Sequence, residues 1–306
     1  MSSNLIRKFR LFIYKYRWYL ISTLIRPNCR LCSGTTVRKV GYGRYFLECR
    51  SCGFIFAGDF PESVAQIGAG MSGSWGDADT GGEREDFLVR FIHKDLEKQS
   101  FLLYGVGSTL AFPVLISERF DVYGCDVSES VIEYRQKKYG IDRFFHANKL
   151  ESIHNKYDVV VACEVIEHLN YPQKAFSTIL NCMKLNGILC GTTNFHPGGD
   201  IEDGQKVGYM SFRNHVAYWS EKSMTKLLGN FGMNLITFEM VCPGSVKPDL
   251  KYNDLFPNKR VFFASADEDV ISFLIELKSK NPILPIDLSD YPHPSYRSST
   301  ISSKTA

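Results

Sequence analysis

Phe101-Leu-Leu-Tyr-Gly105-Val-Gly107-Ser-Thr109, followed by Phe120-Asp-Val-Tyr-Gly-Cys-Asp126, is the stretch that decides the fold. An apolar run of strand length enters a glycine turn and then a helix-like segment. Glycine accepts positive φ and lets the backbone approach a ligand, and the helix start beyond it offers unsatisfied N–H groups. Nineteen residues after Gly107, Asp126 closes a second apolar run. A carboxylate at the tip of a second strand is placed to accept hydrogen bonds from two ribose hydroxyls. Gly-x-Gly alone is a weak signal, but strand, glycine turn, helix and second-strand acid in that order are much stronger together. A dinucleotide fingerprint wants a third glycine at position 110, where this chain has Leu110. That argues against a nicotinamide or flavin cofactor.

Working outward, strand-like runs recur at 101–104, 120–124, 143–146, 157–163, 187–193 and 233–241. Helix-like runs fall at 83–96, 129–138, 172–185 and 220–230, the last with Ser220 as its cap. Such alternation predicts an α/β fold, a doubly wound, mostly parallel sheet with helices on both faces.

Ahead of this body stand two Cys-x-x-Cys steps, Cys29/Cys32 and Cys49/Cys52, with sixteen residues between them. The spacing is that of a four-cysteine zinc site. Four protein thiolates leave no open position, so the metal is expected to be structural rather than catalytic. Residues 37–40 and 45–48 read as short strands joined through Gly41-Tyr-Gly43, which makes 29–60 a zinc ribbon. Residues 1–28 precede it. Within 4–25, Leu5, Phe9, Phe12, Ile13, Tyr16 and Leu20 share one helical face, with Arg7, Lys8 and Lys15 opposite. This basic amphipathic helix suits an anionic membrane surface, or packing on the ribbon or on a partner subunit. Residues 61–82 read as a Gly/Ser/Asp-rich linker, 83–280 as the α/β domain, and 281–306 as a disordered tail.

A chain of 306 residues can hold one large domain and a small satellite. Residues 1–50 carry 11 Lys/Arg and one acid, whereas the remainder carries 25 Lys/Arg and 32 acids. A basic head on an acidic body points the head towards something anionic. Nucleic acid is a minor alternative there, because no interleaved basic and aromatic run continues into the body. Cys125, Cys163, Cys182, Cys190 and Cys242 stand singly in apolar surroundings, a usage that fits a reducing, cytoplasmic compartment. No secretory signal and no membrane-spanning run is read in the sequence.

Asp126-Val-Ser, then Tyr157-Asp-Val-Val-Val-Ala-Cys-Glu-Val-Ile-Glu-His168-Leu, then Leu185-Asn-Gly-Ile-Leu-Cys-Gly-Thr-Thr193 resemble the class I S-adenosylmethionine-dependent methyltransferases. The likeness runs from about Glu83 to Val241, and its most specific piece is Glu-Val-Ile-Glu-His-Leu. A Cys-x-x-Cys ribbon ahead of such a domain is similar to bacterial methyltransferases acting on sugars and on surface-polysaccharide or natural-product intermediates. The resemblance implies S-adenosylmethionine as cofactor, held by Gly105, Val106, Gly107, Asp126, Val127, Asn148 and Glu164. Asp126 would hold the ribose. Asn148 stands where an acid usually meets the adenine amino group. Two positions depart from the family pattern: Leu103 replaces an acid and Thr109 a glycine.

Methyl transfer to a hydroxyl needs in-line placement and a group to take the proton. His215, in Phe212-Arg-Asn-His215-Val-Ala-Tyr218, is one candidate base; His168 and His196 are the others. Residues 197–213, with Asp200, Glu202 and Asp203, read as an acidic lid. The expected function is methyl transfer to an oxygen, less favourably a carbon, of a sugar-like or lipid-linked small molecule at the cytoplasmic membrane face. The alternative, prompted by Leu103 and Thr109, is a methyltransferase-like zinc-ribbon scaffold without turnover. No feature of the sequence specifies an oligomeric state.

Overall fold

The computed structural model describes residues 27–42, 44–58, 82–107, 109–139, 142–198, 209–212, 214–241 and 258–285. The amphipathic segment 4–25, the lid acids Asp200, Glu202 and Asp203, Cys242, nearly all of the expected linker and the tail beyond 285 lie outside the described residues.

Both Cys-x-x-Cys steps sit at the edges of an antiparallel hairpin. Strands β1 (Thr36–Gly41) and β2 (Arg44–Cys49) pair in register from Thr36 opposite Cys49 to Gly41 opposite Arg44. Strand β3 (Ile55–Ala57) adds to β2. The larger body then runs α1 (Glu83–Leu96), β4 (Ser100–Tyr104), α2 (Ala111–Ser117), β5 (Asp121–Asp126), α3 (Glu129–Tyr139), β6 (Phe144–His146) and a 3-10 turn, Ala147–Ser152. It continues through β7 (Tyr157–Val161), the 3-10 turn Ile166–His168, α4 (Pro172–Asn181), β8 (Met183–Asn194), the 3-10 turn Tyr209–Ser211, β9 (Ala217–Tyr218) and α5 (Glu221–Gly229). Strands β10 (Asn234–Val241) and β11 (Lys259–Ser265), helix α6 (Glu268–Lys280) and β12 (Ile283–Pro285) complete it.

The central sheet has the order β12-β10-β11-β8-β7-β4-β5-β6. Strands β6, β5, β4, β7 and β8 are parallel, β11 is antiparallel to β8, and β10 is antiparallel to β11. The sheet is thus α/β and Rossmann-like, as expected, but mixed. The order in which successive strands are laid down reverses at β4: β5 and β6 lie on one side, β7 and β8 on the other. That is the topological switch point, where ligands bind at the carboxyl ends of such strands.

Strand alternation divides the core. Phe101 and Leu103 join one buried cluster with α1, α2, α3 and α6; Leu102 joins the other, with α4, α5 and the cysteine module. Each buried Leu or Phe of these faces stabilises by about 1.5–3 kcal/mol relative to exposure. Ser220 caps α5 with a full capping box, as its position predicted.

Three readings shift. The helix expected over 172–185 ends at Asn181, and Met183 already begins β8. Strand β11 and helix α6 were not read as elements, and β11 inserts between β8 and β10. The apolar pattern of 283–285 adds an edge strand, β12, parallel to β10 and beyond the expected end of the domain at 280.

The cysteine module is not a detached satellite. Its sheet has the order β1-β2-β3-β9, and β9 comes from the larger body: Ile55 pairs with Tyr218 and Phe56 with Ala217. Trp219, fully buried, lies 4.8 Å from Phe54 and 5.7 Å from Phe176 between ring centroids, and its Nε1–H donates to Ile166 O. Gln173 donates to Leu31 O at 2.7 Å, and Arg30 bonds Asn170 Oδ1.

Candidate active site

The glycine turn lies at the carboxyl end of β4. Gly105 has φ +80°, and a Cβ there would meet Val165 Cγ2 at 2.6 Å, so both conformation and space require glycine. The same contact sets the turn against the segment that follows β7. At Gly107, φ is +41° and a Cβ would meet nothing within 4 Å among the described residues. That open side is a cradle of the kind a ligand fills.

Asp126 ends β5 and closes the turn. Its Oδ2 accepts from Gly107 N–H at 3.0 Å and its Oδ1 from Ser128 N–H at 2.9 Å. A carboxylate has about four acceptor sites, so capacity for two hydroxyl donors is left. From α3 the buried Arg135 clamps the other side, donating to Gly107 O at 2.8 Å and 3.2 Å. Val106 is buried, whereas Val127 is 52% exposed at the strand tip. His146 Nε2–H donates to Val127 O at 2.9 Å, while its Nδ1 accepts from Asn148 N–H. Asn148 is exposed beside them. These groups gather at the carboxyl ends of β4, β5 and β6, with an exposed apolar side chain, Val127, and an amide, Asn148, beyond the Asp126 carboxylate.

Leu103 is 1% exposed and packed in the core, and the Thr109 hydroxyl accepts from Ala111 N–H. Both departures from the family pattern therefore have structural roles.

Glu164, directly after the β7 end, has φ +54°, a sparsely populated conformation for a non-glycine residue. Its carboxylate takes Thr192 Oγ1–H at 2.7 Å, the Lys259 ammonium, and Arg84 at 3.4 Å. Burial pushes its pKa up, but Lys259 and Arg84 outweigh burial and hold it at about 2. Glu85, next to Arg84, moves the other way, raised by burial to about 7.

The structure brings two of the three predicted histidines together. His168 and His215 stack edge to face with centroids 5.0 Å apart. His168 Nδ1 lies 2.9 Å from Asn214 O, and His215 Nδ1 lies 3.0 Å from Tyr209 O. A carbonyl only accepts, so both Nδ1 atoms carry hydrogen, and in a neutral ring the lone pair is then on Nε2. Burial, then the neighbouring His168, lower the His215 pKa to about 3 and keep it neutral. His196 is outside this group: its Nδ1 accepts from Gly198 N–H, so the hydrogen of the neutral ring is on Nε2.

Several site residues were not singled out in the sequence. Glu167 stands inside the quoted Glu-Val-Ile-Glu-His segment and is 1% exposed. Arg84 and Arg135 lie on helices read correctly but without a distinguishing spacing. Lys259 belongs to the unread strand β11. Arg44, on β2, reaches across to the His215 segment, with its guanidinium 2.7 Å from Phe212 O and 3.2 Å from both Met210 O and the Tyr218 hydroxyl. No local sequence signal announces any of these contacts.

The four thiols form a second cluster. Sγ–Sγ distances are 3.7 Å for Cys29–Cys52 and 3.4 Å for Cys32–Cys49, and all four lie within 4.8 Å of one another. A tetrahedral ion with Zn–S bonds of about 2.3 Å spaces its sulfurs by about 3.8 Å. Leu31 N–H and Cys52 N–H point at Cys29 Sγ and Cys49 Sγ. Each Cys-x-x-Cys step is followed by a left-handed residue, Ser33 or Gly53. The donor set and geometry fit zinc. Cys125, Cys163, Cys182 and Cys190 are buried thiols, with Cys182 pushed up to about 12 by burial.

Against known proteins, the model of the methyltransferase domain family matches residues 79–237, just over half of the chain. The ubiquinone biosynthesis O-methyltransferase of Rickettsia typhi is 31% identical over 106 residues, covering 33% of this chain and 43% of that protein. The chain therefore matches less than half the length of this curated relative. Among solved structures, a SAM-dependent methyltransferase from Aquifex aeolicus is 15% identical with TM-score 0.43, covering 65% of this chain and 98% of its own. The 1,6-didemethyltoxoflavin-N1-methyltransferase of Burkholderia thailandensis is 13% identical with TM-score 0.46, covering 74% and 98%. By its family match, with the glycine turn and the β5 carboxylate where such a domain needs them, the chain belongs to the methyltransferase domain family.

Proposed function

We propose that the chain transfers a methyl group from S-adenosylmethionine to an oxygen of a sugar-like or lipid-linked small molecule. One observation carries this reading. The Asp126–Gly107 turn, open on its ligand side, abuts the segment that bears His168, through the Gly105–Val165 contact. On this reading the cofactor cradle and His168 lie at the carboxyl ends of the neighbouring strands β4 and β7.

Asp126 offers its free acceptor sites to ribose hydroxyls, and Val127 and Asn148 flank the adenine position. Glu164, its charge met by Arg84 and Lys259, lines the cofactor cleft on this reading. The cofactor, when bound, supplies an electrophilic methyl and a neutral thioether leaving group. This chain's residues then orient the acceptor in line beside His168 and His215, where its proton leaves. An oxygen acceptor is favoured because an imidazole whose Nδ1–H is committed to a carbonyl, as in His168, keeps Nε2 for the hydroxyl side. The name of the Rickettsia typhi relative, an O-methyltransferase, agrees.

The same proposal includes one structural zinc on Cys29, Cys32, Cys49 and Cys52. It also includes a peripheral membrane contact through residues 4–25 on the cytoplasmic side. Among the described residues no helix is long and apolar enough to cross a membrane. A catalytically silent scaffold is the second reading, favoured by the core position of Leu103, which leaves the turn without its usual carboxylate.

Calorimetric titration with S-adenosylhomocysteine tests the first reading. Zinc-replete protein is expected to bind in the micromolar range, and Asp126→Ala to bind at least about tenfold more weakly, because hydrogen bonds to a charged acceptor are lost. Absence of binding to the unmodified chain would hand the lead to the scaffold reading.

A further inference from the structure

We propose that Glu167, His168 and His215 form a second metal site, one that takes a divalent transition-metal ion and leaves coordination positions open towards the acceptor. Each of the three offers a ligand atom, and these atoms lie within 4.8 Å of one another. Ligands at about 2.0–2.2 Å from an ion are about 3 Å apart along the edge of a coordination polyhedron. Side-chain rotations of about an ångström close that gap.

Four features point to a cation rather than to a histidine pair alone. Glu167 Oε1 is buried without a hydrogen-bond partner among the described residues, which is costly for a carboxylate unless something positive meets it. Its other oxygen is already oriented by Thr193 Oγ1–H at 3.2 Å. Both histidines donate Nδ1–H to backbone carbonyls, the outer-shell arrangement that fixes the tautomer of a metal-ligating imidazole and turns Nε2 inward. Glu164 belongs elsewhere, since Lys259 and Arg84 neutralise it.

Two imidazoles and one carboxylate suit Mn2+, Co2+, Fe2+ or Zn2+ better than Ca2+ or Mg2+. Three protein ligands leave room for water or a substrate oxygen, the feature that separates a working site from the closed four-thiolate site. Its part in the reaction rests on the methyl-transfer reading; the binding of the ion does not. There, the acceptor hydroxyl would bind the ion and lose its proton to solvent. The oxygen lone pair would then form the O–CH3 bond as the S–CH3 bond breaks, with the sulfur keeping the electron pair.

The test uses the full chain, dialysed until its zinc content is constant, and then titrated with Mn2+ followed by electron paramagnetic resonance of the free ion. Manganese is a poor thiolate partner, so the cysteine cluster does not compete. Expected is one ion per chain beyond the cysteine-bound zinc, either present after dialysis or taken up on titration. His168→Ala and Glu167→Gln should each weaken it by about 100-fold or more. Co2+ absorption bands that require nitrogen ligands, lost in His168→Ala, give a second reading. Circular dichroism and thermal unfolding of the two variants control for folding, and S-adenosylhomocysteine binding to the unmodified chain tests the methyl-transfer reading separately. No second ion and no saturable Mn2+ or Co2+ binding, or binding undiminished in both variants, overturns the proposal.

Discussion

Glu85 and His215 are moved in opposite directions by the same cause. Burial disfavours charge, so it raises the carboxyl of Glu85 to about 7 from its ordinary 4.5 and lowers the imidazole of His215 to about 3 from 6.5. The signs for stability follow by linkage. Between about 4.5 and 7 the folded chain holds the Glu85 proton more tightly than the unfolded one, so this contribution is lost as pH rises through that window. For His215 the unfolded chain binds the extra proton, so stability falls as pH drops from about 6.5 towards 3. Glu85→Gln is therefore expected to melt higher than the unmodified chain at pH 8, by roughly 2 °C after discounting for partial exposure, and to show a smaller difference at pH 5. Thermal unfolding at the two pH values checks this. A Glu85→Gln benefit that is larger at pH 5 than at pH 8 would contradict it.

At the scale of elements, the two-residue strand β9 has an effect larger than its length. It completes the small sheet by pairing with β3. Val216 N–H, just before it, donates to Glu167 O, and Ala57 N–H donates to Val216 O. Trp219, just after it, fills the space between Phe54 and Phe176. Trp219→Ala removes that plug and leaves a cavity between module and body. A loss of about 3–5 kcal/mol is expected, read as a lower urea midpoint. An unchanged midpoint would mean that the two cores are independent. The capped start of α5 and the glycine turn after β4 were legible beforehand, because capping and positive φ are properties of a few adjacent residues. Strand β9 was not, since two residues carry no period, and neither was β11, whose place is set by pairing with β8, far earlier in the chain.

Across the whole molecule, Arg44 links the cysteine hairpin to the histidine segment. It is 6% exposed, and its NH1 donates to Met210 O, Phe212 O and the Tyr218 hydroxyl. Arg44→Met is expected to leave S-adenosylhomocysteine affinity within about threefold, because Asp126 and the glycine turn are untouched. Amide exchange across 209–218 should accelerate about tenfold or more, as buried carbonyls lose their donors. Removing the zinc proposed for the four thiols with a strong chelator should loosen the same segment, since Arg44 lies on the strand that ends at Cys49. Exchange confined to the cysteine module after zinc removal would show that the ribbon does not support the site.

Periodicity, glycine placement and the order of strand, turn and acid determined the fold class, the glycine–Asp126 turn and the four-thiol cluster from sequence alone. Each is written in residues within about twenty positions of one another, where backbone geometry limits what a spacing can mean. Only the tertiary structure decided which histidines meet, that Lys259 and Arg84 neutralise Glu164, that His215 joins Glu167 and His168, and that the cysteine module borrows a strand from the body. Those contacts join residues tens to more than a hundred positions apart. They are selected by how the two faces of one sheet are covered, which no local pattern encodes.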